Sequence, residues 1–115
     1  MIFEIELYFP TAKPGAAAEV ESLGPCKPLS QILFLTVTEH SGDAHLVPFA
    51  DVLEVDVANH RYVSAHGRTF YPRRIDLPDH FMVETAAGYA RTVKGVQVAR
   101  LTRSKRDTPG KGVSW

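Results

Sequence analysis

The sequence predicts an all-β fold, a small antiparallel sandwich or open barrel with little helix. Three observations carry that expectation. Several runs alternate apolar and polar residues with period two, the mark of a strand with one face buried and one face wet. Turn residues recur at intervals of roughly 8–12 residues, the spacing of short strands in sandwiches and barrels. No stretch carries a convincing apolar stripe at helical spacing. The chain has 115 residues, enough for one domain with one real core.

Phe3, Ile5, Leu7 and Phe9 alternate with Glu4, Glu6 and Tyr8, which predicts a first strand ended by Pro10. Residues 11–28 contain Pro14, Gly15, Gly24, Pro25 and Pro28 and read as a long loop, with room for a short helix over 16–23. Residues 30–38 form the second strand. Ile32, Leu33, Phe34, Leu35 and Val37 put apolar groups on both of its faces, which suits a central position. His40-Ser41-Gly42-Asp43 is turn chemistry, and residues 44–49 run back as the hairpin partner.

Leu53, Val55 and Val57 alternate with Glu54 and Asp56 in another half-buried strand. Ala58-Asn59-His60 makes a turn, residues 61–65 a strand, His66-Gly67 the next turn, and residues 68–74 a returning strand. Pro72 marks an edge or a bulge there. The segment 76–79 breaks the pattern, and 81–85 and 93–101 are the last strands. The expected core is Phe3, Ile5, Leu7, Leu33, Leu35, Val55, Phe70 and Phe81. The domain is expected to span 1–101, and the polar residues 102–115 to form a basic, mobile tail that the fold can lose.

Net charge is zero, yet unevenly spread. Residues 1–56 carry −7, residues 57–90 carry +1 and residues 91–115 carry +6. An acidic face and a basic tail follow, and a basic tail is a candidate for polyanion contact. The longest apolar stretch is far short of a membrane span, and the N-terminus lacks the basic flank of a secretory signal. Cys26 is the one cysteine, so neither an intrachain disulfide nor an all-cysteine metal site can form, and the expected compartment is the cytoplasm. Cys26 falls in the loop reading and is taken as an incidental thiol.

The chain carries no Gly-rich phosphate loop, zinc HExxH or nucleophile elbow, and no convergent acid–base set. No enzymatic activity and no cofactor are expected. His40 and His45, with Glu39 and Asp43, surround one turn, but their spacing matches no standard ligand pattern, so no metal is expected there. More informative are His60, Arg61, His66, Arg68, Arg73 and Arg74, at or near the turns of two hairpins. Arginine forks bind phosphate or read guanine in the major groove. Tyr62, Phe70 and Tyr71 lie between them, as stacking platforms if exposed and as core if not.

The stretches 47–56 (VPFADVLEVD), 59–64 (NHRYVS) and 67–74 (GRTFYPRR) resemble the LytTR DNA-binding domain of bacterial response regulators. The resemblance spans roughly 31–98 and implies an all-β binder whose loops enter successive major grooves of double-stranded DNA. It implies that His60 occupies the place of the family's DNA-contacting histidine, and Arg73 or Arg74 that of its strand-end arginine. Two departures stand out. Asp76-Leu77-Pro78 replaces the family's short helix, and Glu84 stands where a basic reader is the rule.

Two functions follow as expectations. The first is a DNA-binding transcriptional regulator that reads bases with His60 and Arg61, uses Arg73 and Arg74 at a strand end, and holds phosphates with Arg103, Lys105 and Arg106 as flexible charges of the tail. The alternative is a small interaction or inhibitor protein whose acidic face, with Glu54 and Asp56, docks on a basic protein partner.

Overall fold

The structure, a computed structural model, describes residues 1–9, 19–30 and 32–105. Two sheets, each antiparallel throughout, make up the fold. The strands are β1 (Phe3–Phe9), β2 (Glu19–Pro28), β3 (Phe34–Thr38), β4 (Ala44–Pro48), β5 (Val52–Asp56), β6 (Arg61–Ser64), β7 (Thr69–Phe70), β8 (Arg74–Asp76), β9 (His80–Thr85), β10 (Ala90–Lys94) and β11 (Val98–Arg103). The large sheet runs β10-β9-β2-β1-β11-β5-β6-β7, and the small one β4-β3-β8. The only helical pieces among the described residues are single 3-10 turns at Phe49–Asp51 and Gly95–Gln97.

The chain changes sheets where its sequence prevents a strand from continuing. Pro48 ends β4, and the Phe49–Asp51 turn carries the chain across to β5. Tyr71-Pro72-Arg73 carries it back from β7 to β8. The expected single strand over 68–74 is therefore two short strands in different sheets, parted at Pro72, which has no N–H to give a ladder.

One apolar cluster fills the space between the sheets. Phe3, Ile5, Leu7, Val55, Val83, Val93 and Leu101 come from the large sheet, and Leu35, Val37 and Ile75 from the small one. Phe49 sits among them, edge-on to Phe3 (6.0 Å, 76°) and to Phe81 (5.8 Å, 87°). Seven of the eight expected core residues are buried. Phe70 is half-buried and packs on the cluster's margin.

Four expectations need correction. The loop expected over 11–28 contains β2. Its described part, from Glu19, pairs with β1 and then with β9, which excludes a helix over 19–23; residues 10–18 lie outside the described residues. Gly24, at φ 67, and a register shift opposite Glu4 and Glu6 bend the strand, so it accommodates the residues that signal a loop. Cys26 is consequently a fully buried core residue, not a loop thiol. The strand expected from residue 30 begins at Phe34 and has one buried face, while Ile32 is exposed. The run 93–101 is broken by the 3-10 turn Gly95–Gln97.

The fourth correction concerns the boundary at 101/102. β11 continues through Arg103, with Thr102 opposite Glu4 and Arg103 opposite Phe3. Ser104 is buried, and its N–H donates to the Ile2 carbonyl at 2.9 Å. Thr102 and Arg103 therefore belong to the sheet, and Ser104 is tied to Ile2 just past its end.

Candidate interaction surface

The outer face of the large sheet gathers most of the charged residues in question. Because residues paired across antiparallel strands share a face, the registers define rows. One row reads Ser22, Glu6, Arg100, Asp56, Arg61 across five strands. The next reads Pro25, Glu4, Thr102, Glu54, Val63, Thr69. Four carboxylates thus surround Arg100, with Arg61 at the border.

The charges within these rows are strongly coupled. Glu54 Oε1 accepts from Arg61 Nη2 at 2.7 Å and from Arg100 Nη2 at 2.6 Å. Asp56 lies 3.8 Å from Arg61 and accepts from the Asn59 side-chain amide at 2.9 Å. That amide bond holds the Asp56 carboxyl below the ordinary carboxylate range, with the Asn59 backbone N–H, Arg61 and Arg100 adding to it against the cost of burial. The Glu54 bond in turn raises the Arg61 guanidinium. Arg61 therefore faces its own strand neighbours, and a DNA contact from it would first have to break a 2.7 Å ion pair.

The remaining site residues do not converge with it. His60 stands exposed at the tip of the β5–β6 hairpin with φ 50, a left-handed conformation uncommon for residues other than glycine, though His, Asn and Asp enter it more readily than the rest. Arg74 lies on β8 with Ile75 buried beside it, so it looks outward from the small sheet, on the side of the sandwich away from Arg61. Its Nε donates to Asp76 at 3.0 Å. Arg73 is exposed, and its backbone N–H donates to the Thr38 carbonyl at 2.9 Å. Lys105 is exposed just past the sheet, and Arg106 lies outside the described residues.

Arg103 is held by the fold rather than free for phosphate. Its Nη2 reaches the carbonyl oxygens of Phe49 (3.3 Å), Ala50 (3.1 Å) and Val52 (3.0 Å), and its guanidinium lies 4.9 Å from the Phe3 ring centroid. It clasps the crossing between the sheets.

The aromatic residues divide between core and surface. Tyr62 is buried and stacks on Phe70 at 4.9 Å and 16°, with Arg68 5.3 Å over the Phe70 ring. Burial, with the Glu39 charge second, raises the Tyr62 hydroxyl pKa. The pair lines a 300 Å³ groove with Val47, Asp51, Ser64 and His66. Tyr71 is exposed. At the other turn, His45 Nε2 pairs with Glu39 at 2.9 Å, whereas His40 Nε2 turns to the Tyr71 carbonyl at 3.0 Å, so these residues serve separate contacts.

Sequence reasoning overlooked Glu4, Glu6 and Arg100 as members of this surface. The alternation of β1 already put both glutamates on its wet face. What joins them to Glu54 and Asp56 is β11, which inserts between β1 and β5 and brings Arg100 into the middle. Glu4 and Glu6 are exposed, and among the described residues no basic side chain pairs with them.

No helix among the described residues is long and apolar enough to cross a membrane. No family model, curated protein or solved structure matches the chain.

Proposed function

We propose that this protein is a non-enzymatic interaction module that presents the outer face of its large sheet to a basic protein partner. The observation that carries this reading is the surplus of carboxylates there. On the part of the face formed by β1, β11, β5 and β6, Glu4, Glu6, Glu54 and Asp56 stand with Arg61 and Arg100, a net charge of about −2 with both arginines already bound and both glutamates open, while Lys27, Glu84 and Lys94 lie on its β2–β9–β10 part. A face of this kind steers a cationic partner and repels a polyanion. The lone buried thiol suits a reducing compartment such as the cytoplasm.

DNA binding of the LytTR kind is the second reading. His60 favours it: an exposed residue held at positive φ on a hairpin tip stores strain of the sort found at functional positions. Arg73 and Lys105 are exposed and could add phosphate contacts.

Fluorescence anisotropy at low ionic strength separates the two. Binding to an oligo-arginine peptide, weakened by Glu4→Lys and Glu6→Lys, with no salt-dependent binding to random duplex DNA, supports the module. Duplex binding whose logarithm falls linearly with log salt, and which His60→Ala weakens, overturns it.

A further inference from the structure

The free edges of the two sheets differ in kind. β7 has two residues and β8 three. β4 turns Ala44, Leu46 and Pro48 outward, and Pro48 has no N–H to offer. β10 is five residues long, regular against β9 over its whole length, and free of proline. Proteins ordinarily blunt such an edge with proline, a bulge or charged side chains, because it is a template for another strand; of these devices β10 carries only the charges of Arg91 and Lys94.

The ladder phase fixes which groups β10 leaves open. Thr85 N–H donates to the Tyr89 carbonyl and Gly95 N–H to the Asp79 carbonyl. In an antiparallel pair, hydrogen-bonded and non-bonded positions alternate. Arg91 and Val93 are therefore the residues that bond β9, and the N–H and C=O groups of Ala90, Thr92 and Lys94 point away from the sheet. Among the described residues nothing pairs with them on that side.

We propose that β10 is the seam of a two-fold homodimer, in which the β10 strands of two copies pair antiparallel about Thr92 and join the large sheets into one. The side chains favour this occupant. Thr92 meets Thr92 of the second copy, a favourable cross-strand pair. Lys94 meets Ala90 of the second copy, and Arg91 meets Val93, so no like charges oppose each other. Ala90 is small and lies directly opposite Glu84 on β9. Lys94 of one copy consequently reaches over Ala90 toward Glu84 of the other, across two strand spacings of about 10 Å. The two-fold axis repeats that ion pair. The exposed Met82, opposite Thr92, extends the central row on both sides with apolar surface. The edge is thus complementary to itself in hydrogen bonding, in size and in charge.

Sedimentation velocity over a hundredfold range of protein concentration tests the seam. Wild type is expected to shift from monomer to dimer. Thr92→Pro removes one outward N–H and none that bonds β9, so it is expected to remain folded and monomeric throughout. Lys94→Glu, a change on an exposed side chain, sets two carboxylates together across the seam and is expected to weaken the dimer at least tenfold. Glu84→Lys combined with Lys94→Glu restores the pair and is expected to restore the dimer. Glu84 is paired with Lys27 on β2, so its replacement by lysine sets two ammonium groups side by side, and melting temperature is followed alongside. Should Thr92→Pro fail to fold, Lys94→Glu and the charge swap decide. A wild type that stays monomeric at every concentration overturns the proposal, as does a dimer that both single variants leave unchanged.

Discussion

The guanidinium of Arg103 supplies donors to three carbonyls of the crossing between the sheets and covers the Phe3 ring. A charged donor of this kind contributes about 1.5–3 kcal/mol, and the cation–ring contact about 1 kcal/mol. Arg103→Ala is expected to destabilise the fold by about 3 kcal/mol, read from the urea midpoint; an unchanged midpoint would return Arg103 to the surface. His60 is strained in the opposite sense. Replacing it with glycine removes the clash of a Cβ at φ 50 and is expected to raise stability by up to about 1 kcal/mol. A loss of stability instead would show that the side chain itself holds the turn. Two carboxyls link the fold to pH. Arg91 holds Glu21 below its ordinary range by a two-point hydrogen bond, one arm at 2.8 Å, and Asn59 does the same for Asp56. Both bind protons less readily folded than unfolded. Their contribution is therefore complete above the ordinary carboxylate range, above about pH 5, and is lost as pH falls through it and below. Thermal melts between about pH 7 and pH 3 should show this decline, with Asp56→Asn flattening part of it. Burial raises the Cys26 thiol, so a thiol reagent at about pH 8 should label the native protein far more slowly than the unfolded chain.

At the scale of elements, the connections between strands matter more than the strands. Gly95 opens the 3-10 turn between β10 and β11, and a Cβ there would stand 2.2 Å from the Pro78 carbonyl oxygen. The obstacle is backbone, which cannot swing aside as a flexible side chain would, so Gly95→Ala is expected to cost about 1–3 kcal/mol, which the same urea titration measures; a neutral result would mean the Leu77–Pro78 backbone moves aside freely. Strands were legible in the sequence where alternation was clean. β1, β4 and β9 fall where the pattern puts them, and β3 only from Phe34 onward. β2 was missed because a bulge at Gly24 absorbs residues that elsewhere signal a loop. In β5 the alternation misled: the register shifts between Val52 and Glu54, so Val52 is buried and Leu53 faces out. Local sequence does not report a bulge, which arises from pairing between strands. The site was legible to the same extent. A turn over Val57–His60 makes Asp56 and Arg61 cross-strand neighbours, which a hairpin register can suggest. The place of Arg100 between Glu6 and Asp56 depends on strands nearly a chain length apart, and no local signal carries it.

Over the whole molecule, the segregation of charge along the sequence is largely undone by folding. The acidic first half and the basic last quarter meet on the outer face of the large sheet, where β11 lies between β1 and β5. Arg100 and Arg61 are taken up by Glu54, Arg91 by Glu21 and Arg74 by Asp76, while Arg103 is spent on backbone carbonyls. What remains open on its β1–β11–β5–β6 part is acidic; Lys27 and Lys94 lie on the β2 and β10 side of the face, and the exposed bases His60, Arg73 and Lys105 lie elsewhere. In the proposed function this face, rather than the hairpin tips, meets the partner. Amide chemical-shift mapping tests it most directly, with one titration by an oligo-arginine peptide and one by duplex DNA at the same low salt. The peptide is expected to shift the amides of Glu4, Glu6, Arg100 and Thr102, and duplex DNA none. Shifts induced by duplex DNA at His60, Arg61 and Arg73, with β1 silent toward the peptide, would contradict it.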